Sequence, residues 1–163
     1  MSTFGYRRWR VQGGRLYPLV YDSQPWEPGV TVARCGQASE WRDHLADLGI
    51  PGHDTRNLYE LAKLARAHAD QFRPVDLHGC GLYAYRTVEA VQAETRGAVK
   101  GLVLLTGRIL PYERMFRAQR GRILALVDKD PAGLRKRLHA DYRAVEIVKT
   151  WDEAEVIRER WED

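Results

Sequence analysis

The chain is predicted to fold as α+β, with a curved antiparallel sheet or small open barrel of about six to seven strands, a two-helix insertion and a C-terminal helix. Three observations predict this. Short β-prone runs recur at hairpin-like spacing, which favours antiparallel pairing. Two helical periodicities interrupt them between residues 38 and 73, and a further one closes the chain. There is no alternating βαβ rhythm and no Gly-rich phosphate loop, which argues against a dinucleotide-binding fold.

Residues 6–11 alternate aromatic, basic and apolar side chains as a strand does, Gly13-Gly14 supplies a turn, and residues 16–21 read as the return strand. Pro18 places that return strand at a sheet edge. A loop over 24–29 leads to a short strand at 30–35. Ser39 then caps a helix in which Trp41, Leu45 and Leu48 fall at i, i+4 and i+7, with Gly49 as its C-terminal glycine. After the Pro51-Gly52 break, Asp54 or Thr55 caps a second helix striped by Leu58, Leu61, Leu64, Ala65 and Phe72. Residues 81–86 form a strand, and Thr87 caps a short helix ending near Gly97. The most apolar segment, 100–110, reads as a central strand. Segments 112–117 and 122–127 read as two more strands, separated by a turn or bulge at 119–121, with helix as an alternative for part of 113–120. Asp130-Pro131 starts a helix, 144–149 returns as a strand, and Thr150 with Glu153 makes a capping box for the last helix.

With 163 residues, 44% of them hydrophobic and 29% charged, the chain suits one domain over 1–163, including a C-terminal helical element from about 130. A domain of this size buries roughly 70% of its unfolded surface, so no disulfide staples are needed. The N-terminus has no apolar signal core, and the longest strongly apolar run, 102–105, is far shorter than the roughly 20 residues of a membrane helix. A cytoplasmic location with reduced thiols and no membrane partner is therefore the expectation. The two cysteines are then free for metal binding or simple burial.

Cys35 is followed by Gly36, and His78 and Cys80 frame Gly79 ahead of Gly81. Such Cys-Gly pairs resemble the tight knuckles that present thiolates to zinc. Cys35, His78 and Cys80 supply three ligands and His53 a fourth, with His44 and His68 as rivals. A Cys2His2 zinc would be structural, holding the helical insertion against the sheet. The same residues offer an enzymatic alternative, a cysteine-dependent hydrolase or transferase using Cys35 or Cys80 with His78, oriented by Asp76 or Asp54. No paired carboxylates stand in an apolar frame suited to acid–base work.

The net charge is +4, and 21 of the 26 basic residues are arginine, whose planar fork suits phosphate or carboxylate. Arg108, Arg114, Arg117, Arg120 and Arg122 crowd together with Tyr112, and Arg8, Arg10 and Trp9 add a second basic-aromatic strand. Gathered on one sheet face, these would bind a phosphate-rich ligand, nucleic acid or nucleotide, by guanidinium contacts and stacking. An acidic protein partner is the further option, with a protein–protein adaptor or host-interaction factor as the alternative function. Trp151 and Trp161 on the last helix would dock on the sheet or form a homodimer interface.

The run Cys80-Gly81-Leu82-Tyr83-Ala84, followed by Val99-Lys100-Gly101, Gly107-Arg108-Ile109-Leu110 and Phe116-Arg117-Ala118, resembles small actinobacterial and actinophage proteins of unknown function. Those proteins share an early Trp-rich strand, a Trp-Pro-Gly-like loop before a Cys (here Trp26-Glu27-Pro28-Gly29 and Cys35) and a Cys-x-Cys-Gly-Ile-Tyr-Ala-like knuckle. His78 stands where the pattern has its first knuckle Cys, and His and Cys exchange readily at zinc. The resemblance spans most of residues 6–127. It implies a bacterial or phage origin and a ligand role at the knuckle, and it says nothing about activity.

Overall fold

The computed structural model describes residues 1–19, 24–35, 38–76, 78–93 and 96–163. Seven strands and five α-helices lie among them. The strands are β1 (Ser2–Gln12), β2 (Arg15–Pro18), β3 (Val30–Val32), β4 (Leu82–Tyr85), β5 (Val99–Pro111), β6 (Met115–Val127) and β7 (Glu146–Val148). The helices are α1 (Ala38–Asp47), α2 (Leu58–His68), α3 (Val88–Gln92), α4 (Pro131–Arg137) and α5 (Trp151–Glu162). The class is α+β, as the sequence predicts.

All seven strands share one sheet. The β5–β6 hairpin is its spine, since β1 pairs with β5 and with β4, while β6 pairs with β3, β4, β5 and β7. The single Tyr6↔Tyr85 pair between β1 and β4 curls β1, β4, β6 and β5 into a partial ring. The sheet is therefore curved and is not a closed barrel. Pairing is antiparallel except at β7, which runs parallel to β6 after the α4 crossover. Hairpin spacing favours antiparallel neighbours, and this holds for β1 to β6. The end of the chain instead crosses over a helix, and such a crossover can deliver a parallel strand.

Of the turn or bulge expected at 119–121, the turn is absent and a register shift is present. β6 is one continuous strand of 13 residues, no part of 113–120 is helical, and the pairing with β5 slips between Thr106 and Ile109, opposite Gln119. Gly121 is there for space rather than for a turn. A Cβ at that position would lie 2.7 Å from Trp26 Cη2 and 2.8 Å from Cζ3, so the indole fills the missing side chain's volume. Trp26 in turn meets Trp9 edge-to-face at 5.5 Å, and Tyr142 donates its hydroxyl to the Trp26 carbonyl. This cluster, with Leu16, Val103, Leu105 and Leu126, forms the main core on one face of the sheet. On the other face α5 lays Ala154 and Ile157 over Tyr6, Leu102 and Leu124. Trp151 docks on Tyr6 as expected, with ring centroids 5.7 Å apart, whereas Trp161 remains 45% exposed beneath the Arg122 guanidinium.

The insertion is as predicted in kind and different in its caps. Ser39 lies within α1 rather than before it, and α2 begins later than Asp54 or Thr55, capped by the Asn57 side chain, which accepts from the Tyr59 and Glu60 amides. The later start leaves Leu58 exposed instead of on the apolar stripe. The two helices share a small core of Leu45, Leu61, Ala65 and Phe72, separate from the cores of the sheet. The Thr87, Asp130 and Thr150 caps are made as the sequence indicates. The end of the expected return strand at 20–21 lies outside the described residues, as does Gly36. No described helix is long and apolar enough to cross a membrane.

Adding a methyl group at Gly121 forces Trp26 out of a filled site, which costs about 1–3 kcal/mol. Gly121→Ala is therefore expected to lower the thermal midpoint by roughly 3–10 °C. Circular dichroism melting checks this, and an unchanged midpoint would show that the indole can shift freely.

Candidate metal centre

Three segments converge where the insertion meets the sheet. The chain leaving β3 is held to β6 by the Ala33 amide bonding to the Gln119 carbonyl at 2.9 Å, and this delivers Cys35. The Cys35 carbonyl accepts from the Trp41 indole at 3.0 Å, which fixes the entry into α1. One turn further along α1, His44 shares the inward stripe with Trp41, Leu45 and Leu48. It is only 2% exposed, and its ring stacks on Phe72 at 4.5 Å. The chain before β4 brings His78 and Cys80, with the Cys80 amide donating to His78 Nδ1 at 3.4 Å.

Among the described residues, Cys35, His44, His78 and Cys80 form a group in which one donor atom from each lies within 4.8 Å of all the others. Zn–N bonds of about 2.0–2.1 Å and Zn–S bonds of about 2.3 Å give a tetrahedron with edges of roughly 3.3–3.8 Å. Each pair of donors therefore needs to close by about 1.5 Å at most. Cys80 Sγ already lies 3.2 Å from His44 Nε2. His78 also has a buried ring nitrogen, Nε2, with no hydrogen-bond partner, a state that buried polar atoms seldom keep. A cavity of about 10 Å³ bordered by Cys35, His44, Phe72 and Cys80 is large enough to take one ion or water. The group can hold a metal ion.

His44 occupies the fourth place that the sequence reading gives to His53. His53 sits in the turn between the helices, where its Nδ1 lies 2.9 Å from the Ile50 carbonyl. His68 is likewise outside the group. The signal for His44 was in the sequence, because it falls at i+3 from Trp41 and i−4 from Leu48, on the stripe that faces inward. The carboxylates beside His78 are also different from those expected. Glu40 and Asp43 of α1 approach its two ring nitrogens at 3.8 and 3.9 Å, whereas Asp54 and Asp76 are exposed.

The two sulfurs divide their chemistry. A hydrogen bond from Cys35, with His44 and His78 adding positive potential, brings Cys80 down to about 5 against the opposing effect of burial. Cys35 is pushed up by its bond to Cys80, by burial and by Glu40, whose Oε2 accepts from Cys35 Sγ at 2.8 Å. Without a metal the pair therefore holds a thiolate at Cys80 and a thiol at Cys35.

Arg117 braces the knuckle from below. It is 2% exposed and donates to the Val75 carbonyl at 2.6 Å, to the His78 carbonyl and to the Tyr112 hydroxyl at 2.9 Å. Gly81 makes room for it. At φ +125° this residue is in a backbone conformation glycine tolerates, and a Cβ there would lie 2.5 Å from Arg117 Cγ.

The arginines do not gather as the sequence reading required. Arg117 is a buried bracket, and Trp9 is fully buried in the core, so neither faces a ligand. Arg108 is tied to Asp47 of α1 at 2.9 Å. Arg8 bonds the Tyr85 hydroxyl and the Ala93 carbonyl and lies over the Tyr85 ring. Arg10 bonds the Pro18 carbonyl at 2.6 Å and lies over Tyr17. Arg7 of the same strand is buried against Trp26, and burial pushes its guanidinium down to about 10. Arg120 and Arg122 share a face by strand alternation. Together with Arg114 at the exposed hairpin end they pair with no carboxylate among the described residues, and Tyr112 is partly exposed nearby. Arg86 and Arg158 border an open cleft with Phe4, Tyr6 and Phe116, but Arg158 is already bound by Glu155 and Glu162, both at 2.9 Å. No protein-family model, curated protein or solved structure matches the chain.

In metal-free protein, iodoacetamide is expected to modify Cys80 ahead of Cys35 near neutral pH, because the thiolate is the reactive form. A lowered thiol value keeps that form above it, so the Cys80 rate should fall only as pH drops through about 5. Mass spectrometry of the two cysteine peptides measures both rates, and equal rates near neutrality would contradict the assignment.

Proposed function

We propose that the chain is a non-enzymatic binding protein whose helical insertion is fastened to the sheet by a structural zinc ion held by Cys35, His44, His78 and Cys80. The observation that carries this is the convergence of four donors from three separate segments within 4.8 Å. Two thiolates and two imidazoles are the donor set zinc prefers, and four protein ligands close the coordination sphere against a substrate. When bound, zinc supplies cross-linking, since it ties the end of β3, α1 and the knuckle before β4 into one unit. Phe72 holds the His44 ring in plane, Trp41 fixes the backbone of Cys35, and Arg117 holds the carbonyls of the knuckle.

The bound partner in this reading is a phosphate-rich ligand, nucleic acid or nucleotide, met by Arg120 and Arg122 with Trp161 beside them and by Arg114 at the hairpin end. Three guanidiniums make a weak, sequence-indifferent grip that depends on salt. The enzymatic alternative draws support from the 3.2 Å approach of Cys80 Sγ to His44 Nε2, a spacing that suits a thiolate–imidazole pair. Weighing against it are the small size of the adjoining cavity, about 10 Å³, and the absence of a hydrogen-bond partner that would orient His44 through Nδ1.

Elemental analysis of untagged protein is expected to return about one zinc per chain, and chelation should lower the thermal midpoint by at least roughly 5 °C. His44→Ala should lose the metal while His53→Ala keeps it. Less than about half an equivalent in the wild-type chain, or zinc retained by His44→Ala, would remove this reading.

Filter binding to single-stranded nucleic acid across salt is expected to give a log–log slope of about −2 for three phosphate contacts. Joint replacement of Arg120 and Arg122 by Ala should abolish binding with the fold intact. No binding at low salt, or binding indifferent to that replacement, would exclude the phosphate ligand.

A further inference from the structure

The chain's two cysteines both belong to the metal group, and both are half-buried rather than sealed. The cavity beside them is bordered by Arg34, Arg73 and Pro74 as well as by the two sulfurs, and at about 10 Å³ it admits a molecule the size of water. Zinc-bound thiolates keep enough nucleophilic character to be oxidised, and once oxidised they cease to be ligands. A centre built with two thiolates side by side and a small opening onto them has the parts of a chemical release.

We propose that the centre is a peroxide-sensitive latch, in which hydrogen peroxide joins Cys35 to Cys80 as a disulfide, expels the metal and frees α1 from the sheet. The proposal rests on the zinc reading above. One thiolate attacks a peroxide oxygen, the O–O bond breaks, and a sulfenic acid and hydroxide form. The second thiolate then displaces hydroxide from that sulfur and the S–S bond forms. Two electrons pass from the sulfurs to peroxide, two solvent protons convert the two hydroxides to water, and the zinc ion leaves with its charge unchanged. A neutral disulfide offers no anionic sulfur, so of the four ligands only His44 and His78 remain, too few for a closed structural site.

The mechanical consequence falls on the insertion. Cys35 and Cys80 both lie outside the helices, so the new bond keeps the two loops together while His44, the donor carried by α1, is released. The remaining polar ties of α1 to its surroundings include the partly exposed pairs of Asp47 with Arg73 and Arg108. Both cores of the sheet lie elsewhere and are untouched.

The test treats zinc-loaded, full-length, untagged protein with a small excess of hydrogen peroxide. Released zinc is followed with a chromophoric chelator, thiols by titration, the linkage by peptide mapping and the helices by amide hydrogen exchange. One zinc should leave for every two thiols lost, with Cys35 and Cys80 in one disulfide-linked peptide. Exchange in α1 should rise at least about tenfold while β5 and β6 stay unchanged. Dithiothreitol with added zinc should restore the starting state. Zinc retained under peroxide, thiols lost to sulfinic acid or to cross-links between chains, or zinc released with α1 exchange unchanged would each overturn the latch and leave the zinc reading standing. Release by oxidised glutathione, which is too large for the cavity, would overturn the assignment to a small oxidant. A chain that takes up no zinc defeats the zinc reading and the latch together.

Discussion

The helical insertion buries only a handful of side chains of its own, and everything about the site follows from that shortage. Leu45, Leu61, Ala65 and Phe72 pack α1 against α2, yet their cluster is separate from the two cores of the sheet. So few buried side chains are a thin foundation for an independent unit, and small units usually need a metal, a disulfide or a larger neighbour. The four-residue Cys/His group lies at the junction, drawing one donor from the insertion and three from the chain on either side of it. It ties together positions far apart in sequence, where a cross-link removes the most freedom from the unfolded chain.

The same junction explains where the arginines go. A guanidinium can satisfy several carbonyls at once because its donors are fixed in a plane and its charge is never lost. Arg117 does this for the carbonyls of Val75 and His78, which the irregular stretch before β4 cannot pair within a sheet. Arg135 does the same for Tyr142 and Val145 near the other end of the sheet. Arg7 and Arg8 lie over aromatic rings and reach backbone carbonyls. A chain rich in arginine can therefore use much of it as internal scaffolding. Of the arginines crowded between 108 and 122, Arg114, Arg120 and Arg122 are the ones that the scaffold leaves without a carboxylate among the described residues.

Much of the fold was legible because it is set by local rules. The caps at Thr87, Asp130 and Thr150, the Gly13-Gly14 turn and the alternating strands depend on neighbours a few residues away. Two features lie beyond such local rules. Gly121 looked like a turn and is a space for Trp26, a residue brought from almost a hundred positions earlier. Residues 146–148 read as a strand and are one, but that they pair in parallel with β6 is set by the crossover through α4. Neither fact is encoded in the adjacent sequence.

By itself the sequence determined the α+β class, the two-helix insertion, the order of elements and three of the four residues in the Cys/His group. These follow from periodicity, capping chemistry and the rarity of cysteine in the chain. Only the tertiary structure decided the fourth, choosing His44 over His53, because α1's rotation turns one inward while the turn after Pro51 bonds the other to its own backbone. It also decided which guanidiniums meet solvent. Side-chain direction in a curved sheet depends on register and on what packs above each strand, and these are properties of the assembled chain rather than of any segment of it.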